Sequence, residues 1–252
     1  MPEGPSIWLM KEALQPFAGG RIISARGNAK IEMDQLNGKK LLEIKTFGKQ
    51  TFLVLDQITV RIHLLMFGSY SIGEQIKPDK SLRLALHFKK GTLFFYTCAV
   101  KLIENVMLQA IDWEADVLSA QWNAGKARKK LAQLPGMMVC DALLDQDIFA
   151  GVGNIIKNEV LFRIGVQPES LVGALPSSKL KALVAEARNY SFDFLEWKRA
   201  FVLKAHWLVH TKRSCPKCGQ PLVKKYTGKG KRRSFYCTTD QRLYVSPARV
   251  ET

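Results

Sequence analysis

Between residues 41 and about 103, apolar side chains recur at every second position; from about 119 onward they recur at every third or fourth. A two-residue period buries one face of a strand, and a period near 3.6 buries one stripe of a helix. The two periods follow one another and do not alternate, which predicts an α+β fold with a sheet-built first part and a helical second part. In the stretch 82–88, Leu82, Leu84, Leu86 and Phe88 alternate with Arg83, Ala85 and His87, and Thr51–Leu55, Ile58–Leu64 and Thr92–Thr97 read as further strands. Gly48, Gly68, Gly73 and Gly91 punctuate them. Ahead of the strands, Ile7, Met10, Leu14 and Phe17 fall on one face of a helix over 5–17. The first part is therefore expected to be a mostly antiparallel β-sandwich with an N-terminal helix.

The helical part has candidates at Lys126–Leu134, Val139–Leu144, Ile155–Phe162, Ser178–Tyr190 and Phe194–Leu203. Pro135-Gly136, Gly151-Val152-Gly153, Gly165 to Pro168 and Pro176 separate them. A linker is expected near Asp116–Asn123, and a basic, cysteine-bearing tail begins at about 213. The expected organisation is a sandwich domain over 1–118, a helical domain over 119–212 and a terminal hairpin over 213–252.

The charge balance is 38 − 22 = +16. A chain this basic most often meets a polyanion, usually nucleic acid, and a structural RNA binder is a second reading of the same charge. No apolar run approaches the ~18 residues of a membrane span. Met1-Pro2-Glu3-Gly4 lacks a basic region followed by an apolar core, so an intracellular protein is expected, nucleoid-associated if bacterial. The five cysteines, without a secretory signal, argue against a disulfide framework. Cys98 and Cys140 lie in apolar stretches and read as buried small hydrophobes.

The other three belong to the tail. Cys215-Pro216-Lys217-Cys218-Gly219 is a tight knuckle that aims two thiolates at one point, and Cys237-Thr238-Thr239-Asp240 is a second knuckle with aspartate in its last place. A hairpin joining them would complete a tetrahedral zinc site of Cys215, Cys218, Cys237 and Asp240, carboxylate oxygen being an acceptable though less common structural ligand. The alternative is a metal-free hairpin held by Leu222, Val223, Phe235, Tyr236 and Leu243. Lys224-Lys225-Tyr226-Thr227-Gly228-Lys229-Gly230-Lys231-Arg232-Arg233 lies between the knuckles and is suited to touching phosphates.

Two further segments are weaker signals. Gly151-Val152-Gly153 precedes a helix whose free amides, with Asn154 beside them, can hold a phosphate. Proline at position 2 allows removal of Met1 and leaves a secondary amine with a pKa near ~8, well below lysine's. Such an amine can attack an electrophilic sugar carbon, and Glu3 beside it can supply a proton.

These pieces occur in this order in one family. Met1-Pro2-Glu3-Gly4-Pro5, Gly48-Lys49, His63-Leu64-Leu65-Met66-Phe67-Gly68, Gly151-Val152-Gly153-Asn154-Ile155, Asn158-Glu159-Val160-Leu161-Phe162 and the tail ending Arg232-Arg233-Ser234-Phe235-Tyr236-Cys237 resemble the formamidopyrimidine-DNA glycosylase / endonuclease VIII family. The resemblance implies a helix–two-turns–helix domain beside the sandwich, a zinc-finger-like β-hairpin with one structural zinc ion, and a monomer that binds double-stranded DNA carrying a damaged base or abasic site. It implies a base-excision-repair glycosylase with AP lyase activity. Pro2 would be the nucleophile at C1′, Glu3 the general acid, Lys49 an aid to protonation and phosphate binding, Asn154 a phosphate grip, and Arg232 the contact to the lesion phosphates that assists δ-elimination. The damaged nucleotide would be flipped out. Ser6 stands where many members carry a second glutamate, and Asp240 where a fourth cysteine is expected.

Leu65, Met66 and Phe67 share one loop, like the void-filling residues of endonuclease VIII-like members, where they would wedge into the space left by the flipped base. The stretch Phe201–Cys215 is too short for the long loop that cups 8-oxoguanine in the other branch. Oxidised pyrimidines are thus the expected substrates. A purine-directed glycosylase and a catalytically inactive DNA-binding member are the alternatives.

Overall fold

A computed structural model of the chain describes residues 2–245. The chain divides into two compact units, residues 1–111 and 112–252. No helix among the described residues is long and apolar enough to cross a membrane.

The first unit opens with α1 (Gly4–Leu14), followed by a 3-10 turn over Gln15–Phe17. Pro16 explains the change, since proline cannot donate the next helical hydrogen bond. Eight strands follow: β1 (Ile22–Arg26), β2 (Leu41–Phe47), β3 (Gln50–Leu55), β4 (Ile58–His63), β5 (Ser69–Ile72), β6 (Leu82–Phe88), β7 (Gly91–Tyr96) and β8 (Ala99–Glu104). They form two antiparallel sheets, in the orders β1-β6-β7-β5 and β2-β3-β4-β8. Ile7, Met10 and Leu14 of α1 are buried with Ile44, Leu53, Leu55, Val60 and Ile62 of one sheet and Leu84, Leu86, Leu93 and Phe95 of the other. Each such side chain contributes ~1.5–3 kcal/mol of burial. A smaller cluster, Leu82, Ala85, Phe94 and Tyr96, comes entirely from β6 and β7.

The second unit holds α2 (Ala124–Ala132), α3 (Val139–Ala142), α4 (Asn154–Arg163), α5 (Ser177–Arg199) and the hairpin β9 (Val223–Thr227) and β10 (Arg232–Tyr236). Asn123 caps α2, its side-chain oxygen accepting from the Lys126 amide at 3.0 Å. The two helices expected over 178–190 and 194–203 are one helix. Ser191 does not break it: its hydroxyl is buried and donates back to the Ala187 carbonyl at 2.7 Å. α5 ends at Arg199 in a double bond pattern, Val202 N–H to the Trp197 carbonyl at 2.9 Å and Phe201 N–H to Lys198 at 3.1 Å. Such an ending usually places glycine where this chain has Phe201, whose φ is 60°. A side chain in that left-handed region costs about 1–2 kcal/mol. Phe162 of α4 shares a small core with Val209, Cys215, Phe235 and Cys237, so the hairpin is seated on α4.

Candidate functional site

The first unit carries six of the sequence-predicted residues at three places: the head of α1, the β2–β3 turn and the turn after β4. Pro2 and Glu3 precede α1, with Glu3 as its N-cap residue. The Glu3 carbonyl accepts from Ser6 N–H at 2.8 Å and Ile7 N–H at 3.3 Å, and its side chain takes no part in the cap. The Glu3 side chain is nevertheless buried, at the positive end of the helix. Gly4-Pro5 starts the helix cleanly because proline is pre-set for the first turn. Ser6, half-buried, stands in the same turn.

Lys49 lies on the two-residue turn joining β2 and β3, and the adjacent Gln50 pairs with His63 of β4. The predicted wedge, Leu65-Met66-Phe67, is a turn immediately after β4 with exposures of 47%, 51% and 77%. Large apolar groups held that far into solvent form a surface feature, and none of the three is a core residue. Gly68 closes the turn, its N–H donating to the Leu64 carbonyl at 2.7 Å. A Cβ at Gly68 would meet that oxygen at 2.1 Å, so only glycine fits. His63 opens the turn: its Nδ1 accepts from the Leu65 N–H at 3.0 Å. Burial, then the charges of Lys49 and Arg61, lower the His63 pKa and keep that nitrogen's lone pair available.

In the second unit, α4 turns one polar face onto β10. Asn154, Lys157 and Asn158 stand three and four residues apart, on one side of the helix. All three donate to a single acceptor, the Arg233 carbonyl, at 2.9, 3.3 and 3.4 Å. Lys157 is buried and also donates to the Ser234 hydroxyl at 2.8 Å, which is bonded in turn to Thr227 at 2.7 Å across the hairpin. Asn154 is thereby tied to the residue that follows Arg232 in β10. The Asn154 Oδ1 is buried and accepts no hydrogen bond. Arg232 itself is exposed, opposite Thr227 in the ladder.

Two carboxylates fix the surroundings. Glu159, fully buried, accepts the backbone N–H groups of Leu208, Val209 and His210 at 2.8, 3.0 and 2.7 Å. Burial raises its pKa against the lowering effect of those three amides. Asp141 accepts the Lys229 N–H at 2.9 Å, and a Cβ at Gly228 would fall 2.2 Å from its Oδ1. The basic hairpin tip is therefore seated against α3. Sequence reasoning had no signal for Lys157 or Asp141 in these roles, because a polar helical position normally faces water.

Cys215, Cys218, Cys237 and Asp240 come together, each offering one ligand atom within 4.8 Å of the others. Asp240 Oδ2 lies 3.0 Å from Cys215 Sγ and 3.4 Å from Cys237 Sγ, and the sulfurs of Cys218 and Cys237 are 3.5 Å apart. Donors about 2.0–2.3 Å from one tetrahedral centre would stand about 3.3–3.8 Å from each other. The set can therefore hold one metal ion with little movement. Cys98 and Cys140 are buried and apart from this cluster, and burial pushes the Cys98 thiol up to about 11.

Residues 1–102 match the formamidopyrimidine-DNA glycosylase N-terminal domain, and residues 114–190 match the H2TH domain of the same glycosylase. Endonuclease 8-like 2 of Bos taurus is 33% identical over 90% of this chain and 91% of its own length. Endonuclease 8-like 3 of Xenopus laevis is 28% identical over 96% of this chain, which spans 41% of that longer protein. Among solved structures, the Lactococcus lactis formamido-pyrimidine DNA glycosylase, non-covalently bound to AP-site DNA, superposes with a TM-score of 0.84 at 22% identity, over 95% of this chain and 99% of that one. A viral DNA glycosylase superposes at 0.83 with 19% identity.

Proposed function

Because the chain belongs to the formamidopyrimidine-DNA glycosylase / endonuclease VIII family, we propose that it is a bifunctional DNA glycosylase and AP lyase of base excision repair, acting on oxidised pyrimidines in duplex DNA. The observation that carries this reading is the seat of Glu3: a carboxyl next to Pro2 is buried at the head of α1 yet is not spent on capping it. Burying a carboxyl costs free energy, and a group so placed suits proton transfer.

In this reading Met1, which lies outside the described residues, is removed. The lone pair of the Pro2 nitrogen attacks C1′ of the damaged nucleotide. Glu3 protonates the ring oxygen O4′, the sugar opens, and the C1′–base bond breaks, its electron pair leaving with the base, which takes up a proton. The iminium that remains acidifies the C2′ proton. Its loss expels the 3′ phosphate, a second elimination expels the 5′ phosphate, and water releases the sugar fragment from Pro2. Lys49 supplies a cation for protonation and phosphate binding. Asn154, through its amide N–H, and Arg232 hold backbone phosphates. Leu65, Met66 and Phe67 fill the space the base vacates. Their exposure on one closed turn, together with the short 201–215 stretch, supports the pyrimidine preference.

Zinc fits Cys215, Cys218, Cys237 and Asp240 and would act there only as a fixed cross-link, holding the hairpin that bears Arg232.

Borohydride trapping on abasic-site duplex, followed by incubation with duplexes carrying thymine glycol, dihydrouracil or 8-oxoguanine, tests the reading. A covalent adduct that disappears when Met1 is retained, with faster release of the two pyrimidine lesions, is the expected result. Trapping by a chain shown by mass spectrometry to keep Met1 would remove Pro2 from its role.

A further inference from the structure

The turn after α5 carries a side chain that the fold gives no reason to keep. Phe201 is 97% exposed, the highest value among the exposed large hydrophobic residues. It also occupies a left-handed backbone position where glycine would be unstrained. Strain and exposure fall on the same residue, and burial returns nothing for either. The adjacent Val202 is 43% exposed.

The turn is built to hold its shape. His206 stacks flat on Trp197, with ring centres 4.2 Å apart and planes 2° from parallel. Trp197 packs edge-on against Tyr190 at 5.7 Å, and the Arg163 guanidinium lies over both rings, at 4.7 Å from Tyr190 and 5.7 Å from Trp197. Ala205 N–H closes back onto the Val202 carbonyl at 2.9 Å. A ring presented on such a base loses little conformational freedom when something stacks on it.

The surroundings are cationic. Lys198, Arg199, Lys204, Lys212 and Arg213 lie between residues 196 and 213, against one carboxylate, Glu196, which is paired with Arg199. An exposed aromatic ring in a cation-rich segment of chain matches a nucleic-acid strand, whose bases stack while its phosphates meet the charges.

We propose that Phe201 is a stacking platform for an unpaired nucleobase, with Lys198 and Lys204 holding phosphates of the same strand. The proposal shares DNA as ligand with the glycosylase reading, and invokes none of its chemistry.

The test titrates a fluorescein-labelled single-stranded oligonucleotide of about ten nucleotides into the wild-type chain, Phe201→Gly, Phe201→Trp and Lys204→Ala at several salt concentrations, with thermal melting of each. Phe201→Gly relieves the backbone strain, so it should melt about 2 °C higher. Its affinity should nonetheless fall roughly 5- to 100-fold. The slope of log affinity against log salt should not change, since no phosphate contact is lost. Lys204→Ala should flatten that slope by about 0.7, and Phe201→Trp should bind as wild type does. If Phe201→Gly melts lower, Phe201→Trp decides: full binding sustains the platform and lost binding overturns it. Binding by Phe201→Gly within twofold of wild type, or no binding of the single strand by wild type, also overturns it and would leave the ring to a protein partner. Trapping on abasic duplex, run in parallel, keeps the two readings apart, since an adduct with unchanged single-strand binding sinks the platform alone.

Discussion

Glu159 is a charged side chain at the centre of α4 with no exposure and three backbone donors aimed at it. Removing it would strand three amides in the interior, and losing one partner of a buried charged network costs about 3–5 kcal/mol. Glu159→Ala is therefore expected to lower Tm by about 10 °C, with Glu159→Gln much milder because it keeps one carbonyl acceptor. Similar melting of the two variants would mean that the 208–210 segment holds without that acceptor. His210, half-buried and bonded to Asn158 at 3.0 Å, also bears on stability. Burial, then the charge of Lys157, pushes its pKa down to about 4. The unfolded chain takes up that proton near pH 6.5 while the folded chain resists until about 4, so stability is complete above 6.5 and drains as pH falls between those values. Replacing His210 with Gln should flatten the pH dependence of Tm in that window, and an unaltered slope would assign acid sensitivity to other groups.

At the scale of elements, the exposed turn over Leu65, Met66 and Phe67 depends on a glycine that cannot be enlarged. Gly68→Ala should break the 64–68 closure, destabilise the first unit by about 2 kcal/mol or more, and impair base release more than cleavage of a preformed abasic site. Equal effects on both would detach the turn from base extrusion. The strands that were readable in the sequence are the ones whose neighbours bury them. β6 and β7 lie inside their sheet: β6 buries Leu82, Leu84, Leu86 and Phe88 at every second position, and β7 buries the unbroken run Leu93 to Tyr96. β1 and β5 are the edges of that sheet, with one fully buried residue and none respectively, so nothing in their composition announced a strand. The gap expected between residues 190 and 194 is continuous helix in α5 for a related reason. A serine normally interrupts the apolar pattern, and only the fold reveals that its hydroxyl is satisfied four residues back. The cysteine knuckles were legible because their spacing is local; the Lys157 clamp was not, since its acceptor is 76 residues away.

For the whole molecule, the +16 charge predicts binding that weakens steeply with salt. Arg232→Ala should reduce the slope of log affinity against log salt on duplex DNA by about one and weaken all sequences alike; an unchanged slope would mean that this arginine meets no phosphate. The candidate metal cluster reaches further than the hairpin, because Cys215 and Cys237 share a core with Phe162 and Val209. Protein purified from metal-replete medium should carry about one zinc ion per chain, and less than ~0.2 would leave the hairpin to its apolar packing. A carboxylate is a weaker zinc partner than a thiolate. Asp240→Cys should therefore resist chelators longer than the parent without losing nicking, and Asp240→Ala should lose metal and nicking together.

The stripe Ile7, Met10 and Leu14 has an evolutionary cost attached to it. One helix both fills the sandwich core and presents Pro2 and Glu3 at its head. Selection cannot adjust the one without disturbing the other, since a change that loosens the packing also tilts the two residues in front of it. Lineages and laboratory libraries alike should find few tolerated substitutions along that stripe, whereas the outward positions of β1, such as Ile23 at 57% exposure, are free to drift.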